Sequence, residues 1–286
     1  MMKMKLSQRL AIKFYTTRIN TTALVSPVKA AERAFKLFCT PLTKSRQKQP
    51  DIFHKAEGLR VLISDVQIYG WIWKPTVEKS KKVLIAHGFN SCSYKFEKYV
   101  SLLLKNGFEV IAFDAPAHGK SKGKQINALM YKEMILHINK VYGNLYGIIS
   151  HSFGGLSAAL AAEELPDLKK LVLIAPASET NTAINNYFKL MKLKDEIRPE
   201  FEKILYAVGK HPLSYFSVSR ALPNIFAKTL WLHDTEDLIC PFADAEKVIK
   251  LKPEHVEFKV TTGLGHNKIY KDNSIAKEIV KFVSSV

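Results

Sequence analysis

The chain has 286 residues, of which 47% are hydrophobic, and a formal net charge of +17. That length and apolar content suffice for one large α/β domain, or two small ones, with a sizeable core, and no apolar run approaches the roughly 18 residues that a membrane-spanning helix requires. The charge is uneven: residues 1–50 hold eleven Lys or Arg against a single acid, Glu32.

The basic start has no continuous apolar core and no small-residue cleavage site, so no secretory signal is expected. Its Arg-rich, acid-poor character does imitate a mitochondrial presequence. Residues 3–20 are predicted to form a short basic helix. Ser26 is an expected N-cap, with Pro27 in the first turn. Val28, Ala31, Phe35 and Phe38 then share one face of an amphipathic helix, and Lys29, Arg33 and Lys36 lie elsewhere. Such a helix packs on the main domain or lies on a membrane surface, packing being the commoner fate. Residues 40–50, with Pro41 and Pro50, are read as a linker. The whole segment 1–50 suits anionic lipid, nucleic acid or an acidic partner, but lysine as the default surface residue is the simpler account. No nucleic-acid partner is expected, and peripheral membrane contact stays open. Cys39, Cys92 and Cys240 lack metal-like spacing and are expected as reduced thiols of a cytoplasmic protein.

From residue 51 to 286 the pattern is that of one domain. Val61–Ile63 and Gln67–Trp73 read as a strand pair. Strand 83–86 runs into His87-Gly88-Phe89-Asn90, and strand 109–113 ends at Asp114. Strand 145–149 leads into Ser150-His151-Ser152-Phe153-Gly154-Gly155, and strand 170–174 ends at Pro176. Strand 228–232 ends in His233-Asp234, strand 256–261 precedes His266, and a helix is predicted over 274–284. Continuous apolar strands alternating with helices imply an α/β fold, a mostly parallel central sheet with helices on both faces. Chemistry then collects at the carboxyl ends of the strands. The exception is about 177–225, which lacks strand rhythm and carries Tyr187, Phe188, Met191, Phe201, Tyr206, Tyr215 and Phe216. An insertion of that length exceeds a simple connection and reads as a helical lid.

A serine on a tight strand-to-helix turn, with small residues two positions away on either side, is a nucleophile elbow. Alone, the stretch around Ser152 reads more readily as a small-residue turn that packs a helix on a strand, and only the residues further along the chain reverse that. A serine hydroxyl attacks only when a base takes its proton and a third group orients the base, so an acid and a histidine are expected on later loops. Asp237 is the expected acid, Asp234 the runner-up, and Glu236 is taken as solvated. His266, in a Gly-flanked loop after the last strand, is the expected base. His151, adjacent to the nucleophile, is expected to point away from it. An oxyanion requires backbone N–H donors, assigned to Phe153 and Phe89, with Asn90 as alternative to Phe89. His87 is read as structural support for that loop.

These residues resemble the α/β-hydrolase superfamily over roughly 59–286. His87-Gly88-Phe89 is similar to its oxyanion segment, Asp114-Ala115-Pro116-Ala117-His118-Gly119-Lys120-Ser121 to its D-x-P-G-x-G-x-S loop, and Ser150–Gly155 to its G-H-S-x-G-G elbow. The resemblance implies a triad of Ser152, Asp237 and His266 and acyl transfer to water through an acyl-enzyme. A carboxylic ester hydrolase for small or medium apolar esters is the expectation. Thioesterase, peptidase and acyltransferase activities share these parts, and a non-catalytic binding module of the same fold is the alternative from another class. Neither a metal cluster nor a dinucleotide fingerprint occurs, so no cofactor is expected.

Overall fold

Eight strands form one sheet: β1 (Glu57–Ile63), β2 (Val66–Trp73), β3 (Lys82–Ala86), β4 (Glu109–Phe113), β5 (Gly147–His151), β6 (Lys170–Ile174), β7 (Lys228–Asp234) and β8 (Val256–Thr261). The computed structural model describes residues 6–42, 47–77 and 80–285. Strand order is β1-β2-β4-β3-β5-β6-β7-β8. The β1/β2 and β2/β4 pairs are antiparallel, and every pair from β4 to β8 is parallel.

The central strands are apolar on both faces because both are covered. Side chains alternate across a strand, so Val83, Ile85, Val110, Ala112, Val172 and Ile174 join a core with Tyr99, Leu103, Ile275 and Ile279 from helices Glu97–Lys105 and Asn273–Ser284. The intervening Leu84, Ile111, Ile148, Leu171 and Leu173 are equally buried. Helices Ala128–Tyr142 and Phe153–Ala162 pack on each other. Local capping sets two of these boundaries. The Asn127 side chain accepts from the Met130 amide, and Asp272 accepts from the Ser274 and Ile275 amides at the start of the last helix, satisfying donors that a helix start leaves free.

The described chain divides into two compact units, one from residues up to Thr40 with Glu179–Phe216, the other from Pro41–Ser178 with Ser217 onward. The first joins the N-terminal helices to most of the inserted segment. Helix Pro27–Phe38 begins as its sequence predicts, with Ser26 Oγ accepting from the Lys29 amide. Its buried stripe is Ala30, Ala31 and Ala34, whereas Val28 is exposed. Those small residues allow close approach of helix Arg198–Gly209, against which it packs. Phe35 and Phe38 meet the Phe201 ring at 5.5 and 5.8 Å, and Tyr187 and Phe188 complete the cluster. Helix Leu6–Ala23 is tied to the same unit by Thr16 Oγ1 donating to the Met191 carbonyl and Asn20 Nδ2 to that of Lys192, both at 2.8 Å. The amphipathic helix expected on the main domain or a membrane thus has its apolar side in this unit. The start of the first predicted helix, residues 3–5, lies outside the described residues.

Candidate active site

The turn after β5 places Ser152 at the start of helix Phe153–Ala162 with φ +56° and ψ −121°. Such a backbone is strained for a non-glycine residue and persists only when its surroundings enforce it. Here the Ser152 amide donates to Ile174 O at 3.0 Å, and its carbonyl accepts from Gly155 and Ala177 amides, each at 2.9 Å. Gly154 is required by proximity. A Cβ there would stand 2.5 Å from the His87 carbonyl oxygen and 2.6 Å from that of Ala86. Ser150, at a usual glycine position, is accommodated because its hydroxyl donates to Val172 O at 2.7 Å.

Three loops bring the predicted side chains together. His266 Nε2 lies 2.9 Å from Ser152 Oγ, and His266 Nδ1 lies 2.7 Å from Asp237 Oδ2. All three residues are buried. The other carboxylate oxygen, Asp237 Oδ1, accepts from the Ile239 and Cys240 amides at 2.8 and 2.9 Å. A carboxylate beside Nδ1 assigns the proton to Nδ1 and leaves Nε2 as acceptor toward the serine hydroxyl.

Asp234, the runner-up acid, has a different task. Its carboxylate accepts from the Glu236 amide at 3.0 Å, Thr261 Oγ1 at 2.7 Å and the Leu264 amide at 3.0 Å. It thereby joins the loop after β7 to the loop that carries His266. Burial raises its pKa, but hydrogen bonds from Thr261, Glu236, Gly265 and Leu264 outweigh that and hold it below the usual carboxylate range.

Of the two residues expected to complete the oxyanion site, Phe89 and Phe153, each presents its ring to the other, edge to face, at 5.7 Å. The Asn90 amide, the alternative donor, is engaged by His118 Nε2 at 3.0 Å, with Asn90 itself at φ +54°. His87 Nε2 accepts from the Ala115 amide at 3.0 Å, so its Nδ1–H donates to Gly88 O at 2.8 Å. In a planar trans peptide the N–H points opposite the carbonyl, so fixing Gly88 O also fixes the direction of the Phe89 N–H. His118 repeats the device, its Nδ1–H donating to Pro116 O at 2.9 Å. Burial depresses the pKa of both imidazoles to about 4.

Two further histidines support the site, and neither is identified by the sequence pattern. His151, next to Ser152 in the chain, has its Nε2 donating to the His266 carbonyl at 3.1 Å and its ring 4.8 Å from the His266 ring. Its Nδ1 is buried with no hydrogen-bond partner, and burial holds its pKa well below the ordinary value. His233 Nδ1 accepts from Trp231 Nε1 at 3.2 Å, so its Nε2–H meets the Cys240 carbonyl at 2.8 Å and stands 3.7 Å from Asp237 Oδ2. The available signal was position: His151 and His233 are strand residues at the carboxyl edge, immediately before the turns that carry Ser152 and Asp237.

Residues 77–220, half of the chain, match the family model described as "Serine aminopeptidase, S33". The chain belongs to this family of α/β hydrolases. The human protein "Monoglyceride lipase" is 27% identical over 258 residues, covering 74% of this chain and 85% of its own. An esterase of Pyrococcus furiosus superposes with a TM-score of 0.62 at 21% identity, covering 86% of this chain and 96% of its own. A monoacylglycerol lipase of Paleococcus ferrophilus does so with a TM-score of 0.58 at 24% identity, covering 76% and 98%. The structural likenesses establish the fold.

Proposed function

We propose that this serine hydrolase cleaves carboxylic esters through an acyl-enzyme on Ser152. The observation that carries the reading is the single imidazole, His266, within hydrogen-bond distance of both Ser152 Oγ and Asp237 Oδ2. His266 Nε2 takes the hydroxyl proton as Oγ attacks the ester carbonyl carbon. Asp237 holds the Nδ1–H tautomer and stabilises the imidazolium that forms. The developing oxyanion is met by the amides of Phe89 and Phe153, in a site where fixed donors need no reorganisation. The imidazolium then protonates the departing alcohol, the C–O bond breaks, and the acyl group remains on Oγ. Water attacks that acyl-enzyme by the same route in reverse, releasing the acid and restoring Ser152.

Relatives named as a monoglyceride lipase and as esterases support esters as the substrate class. Phe89 and Phe153, beside the nucleophile, and the exposed Leu238 and Ile239, beside Asp237, favour an apolar acyl or alcohol portion. The aromatic residues of the inserted segment lend less to that preference, since the half-buried Tyr187 and Phe188 pack against the buried Phe201 within their own unit. Peptide cleavage is the second reading, favoured by the family's description. Cys39, Cys92 and Cys240 are buried free thiols, in keeping with a reducing, cytoplasmic setting. No helix among the described residues is long and apolar enough to cross a membrane. We infer in addition peripheral membrane contact through the N-terminal segment.

The test is a panel of nitrophenyl esters of increasing acyl length, matched thioesters and aminoacyl amides, run on the parent and on Ser152→Ala. Turnover of esters by the parent, lost in the variant, is expected. No ester turnover by a folded parent, or turnover confined to amides, overturns the ester assignment.

A further inference from the structure

Helix Leu6–Ala23 is apolar on two opposite sides. Its inner side is used: Ile19 and Ala23 are buried, and Thr16 and Asn20 bind the Met191 and Lys192 carbonyls. A surface helix with one side packed ordinarily presents polar residues on the other. This one presents Leu6, Leu10 and Phe14, which are 69%, 59% and 59% exposed. At four-residue spacing these three form one stripe. Thr17 and Thr21 carry the same face onward to Leu24 and Val25, which are 72% and 89% exposed in the turn that follows. At 1.5 Å per residue the apolar stripe from Leu6 to Phe14 runs for about 12 Å. Arg9 and Lys13 flank the stripe on one side and Arg18 on the other, and the helix contains no Asp or Glu. Scattered exposed apolar residues need no explanation, but a continuous stripe rimmed by charge marks a docking surface.

We propose that this outward face of helix Leu6–Ala23 docks on an anionic lipid surface, lying parallel to it with Leu6, Leu10 and Phe14 among the acyl chains. The proposal rests on the peripheral membrane contact inferred above, and it locates that contact and names its lipid class. It is independent of the ester chemistry. Two properties select lipid. An in-plane helix requires an apolar face with cationic residues at its borders, where they reach the headgroups. A second copy of the same face would set Arg9, Lys13 and Arg18 against their own counterparts with no carboxylate on the helix to relieve them, and like charges opposed across an interface disfavour association.

The experiment is flotation of the full chain with phosphatidylcholine vesicles and with phosphatidylglycerol-rich vesicles. The parent is compared with the pair Leu10→Glu, Phe14→Glu and with the triple Arg9→Gln, Lys13→Gln, Arg18→Gln. Far-UV circular dichroism and an unchanged urea-unfolding midpoint show that each variant is folded. The parent is expected to float with anionic vesicles much more than with zwitterionic ones, less so at high salt. The Glu pair is expected to lose at least tenfold in binding, and the Gln triple roughly fivefold for each cation removed. If the parent binds and the Glu pair binds equally well, the stripe is not the surface, although membrane contact elsewhere on the segment stands. If the parent binds neither vesicle, both the stripe and the wider membrane contact fall. If the parent sediments as a dimer that the Glu pair dissolves, a second copy occupies the stripe and the lipid assignment is overturned.

Discussion

Two aspartates three residues apart divide the work of the acid loop, and the division is visible only in their partners. Asp237 has one oxygen on backbone amides and the other on His266, the arrangement that the proposed mechanism requires of the acid. Asp234 spends its oxygens on Glu236, Thr261 and Leu264. The two substitutions should therefore fail differently. Asp237→Asn is expected to leave the unfolding midpoint nearly unchanged and to lower kcat by about four powers of ten, because the imidazole is left in the wrong tautomer. Asp234→Ala is expected to lower the unfolding free energy by about 1–3 kcal/mol, leaving buried donors unpaired, as read from urea denaturation. Ser152→Ala should lower kcat by about four to six powers of ten and abolish labelling by a fluorophosphonate, with the fold intact.

Helix Phe153–Ala162 can approach the end of β3 only because Gly154 has no Cβ, which would otherwise meet the Ala86 and His87 carbonyls. Gly154→Ala is expected to push the helix off the strand and cost about 1–3 kcal/mol. Ester turnover should fall with it, since the same helix start carries the Phe153 amide. Denaturant unfolding and initial rates on one ester check both effects. In the other unit the Phe201 ring is the shared contact of Phe35, Phe38, Tyr187 and Phe188. Phe201→Ala leaves a cavity worth about 3–5 kcal/mol. Limited proteolysis should then release the N-terminal helices, while the sheet stays resistant.

Across the whole molecule the acid limb of stability follows from buried neutral histidines. Burial holds His87 and His118 near 4, and His151 well below its ordinary value. In the unfolded chain each titrates at ~6.5. Below that pH the unfolded state binds more protons than the folded state, so stability is fully present above about pH 6.5 and is lost as pH falls toward 4. Urea unfolding at a series of pH values should show that slope, and His118→Asn should reduce it by about one proton. An unchanged slope in that variant would mean that His118 is already charged in the folded protein.

What the sequence determined by itself is local and ordinal. Apolar runs of strand length, the small residues around Ser152, the Ser26 cap with Pro27, and the order serine, acid, histidine are each legible because propensity, periodicity and turn sterics act over a few residues. The tertiary structure decided everything that depends on who meets whom. Asp237 and Asp234 are indistinguishable in composition and differ only in the loops they face. The Asn90 amide meets its partner, His118, 28 residues away. His151 becomes a support for His266, 115 positions further on, only when the intervening chain folds back. The amphipathic helix at 27–38 announces that it must bury one side, but its partner is an inserted segment some 150 residues further on, and no local pattern encodes a contact across that distance.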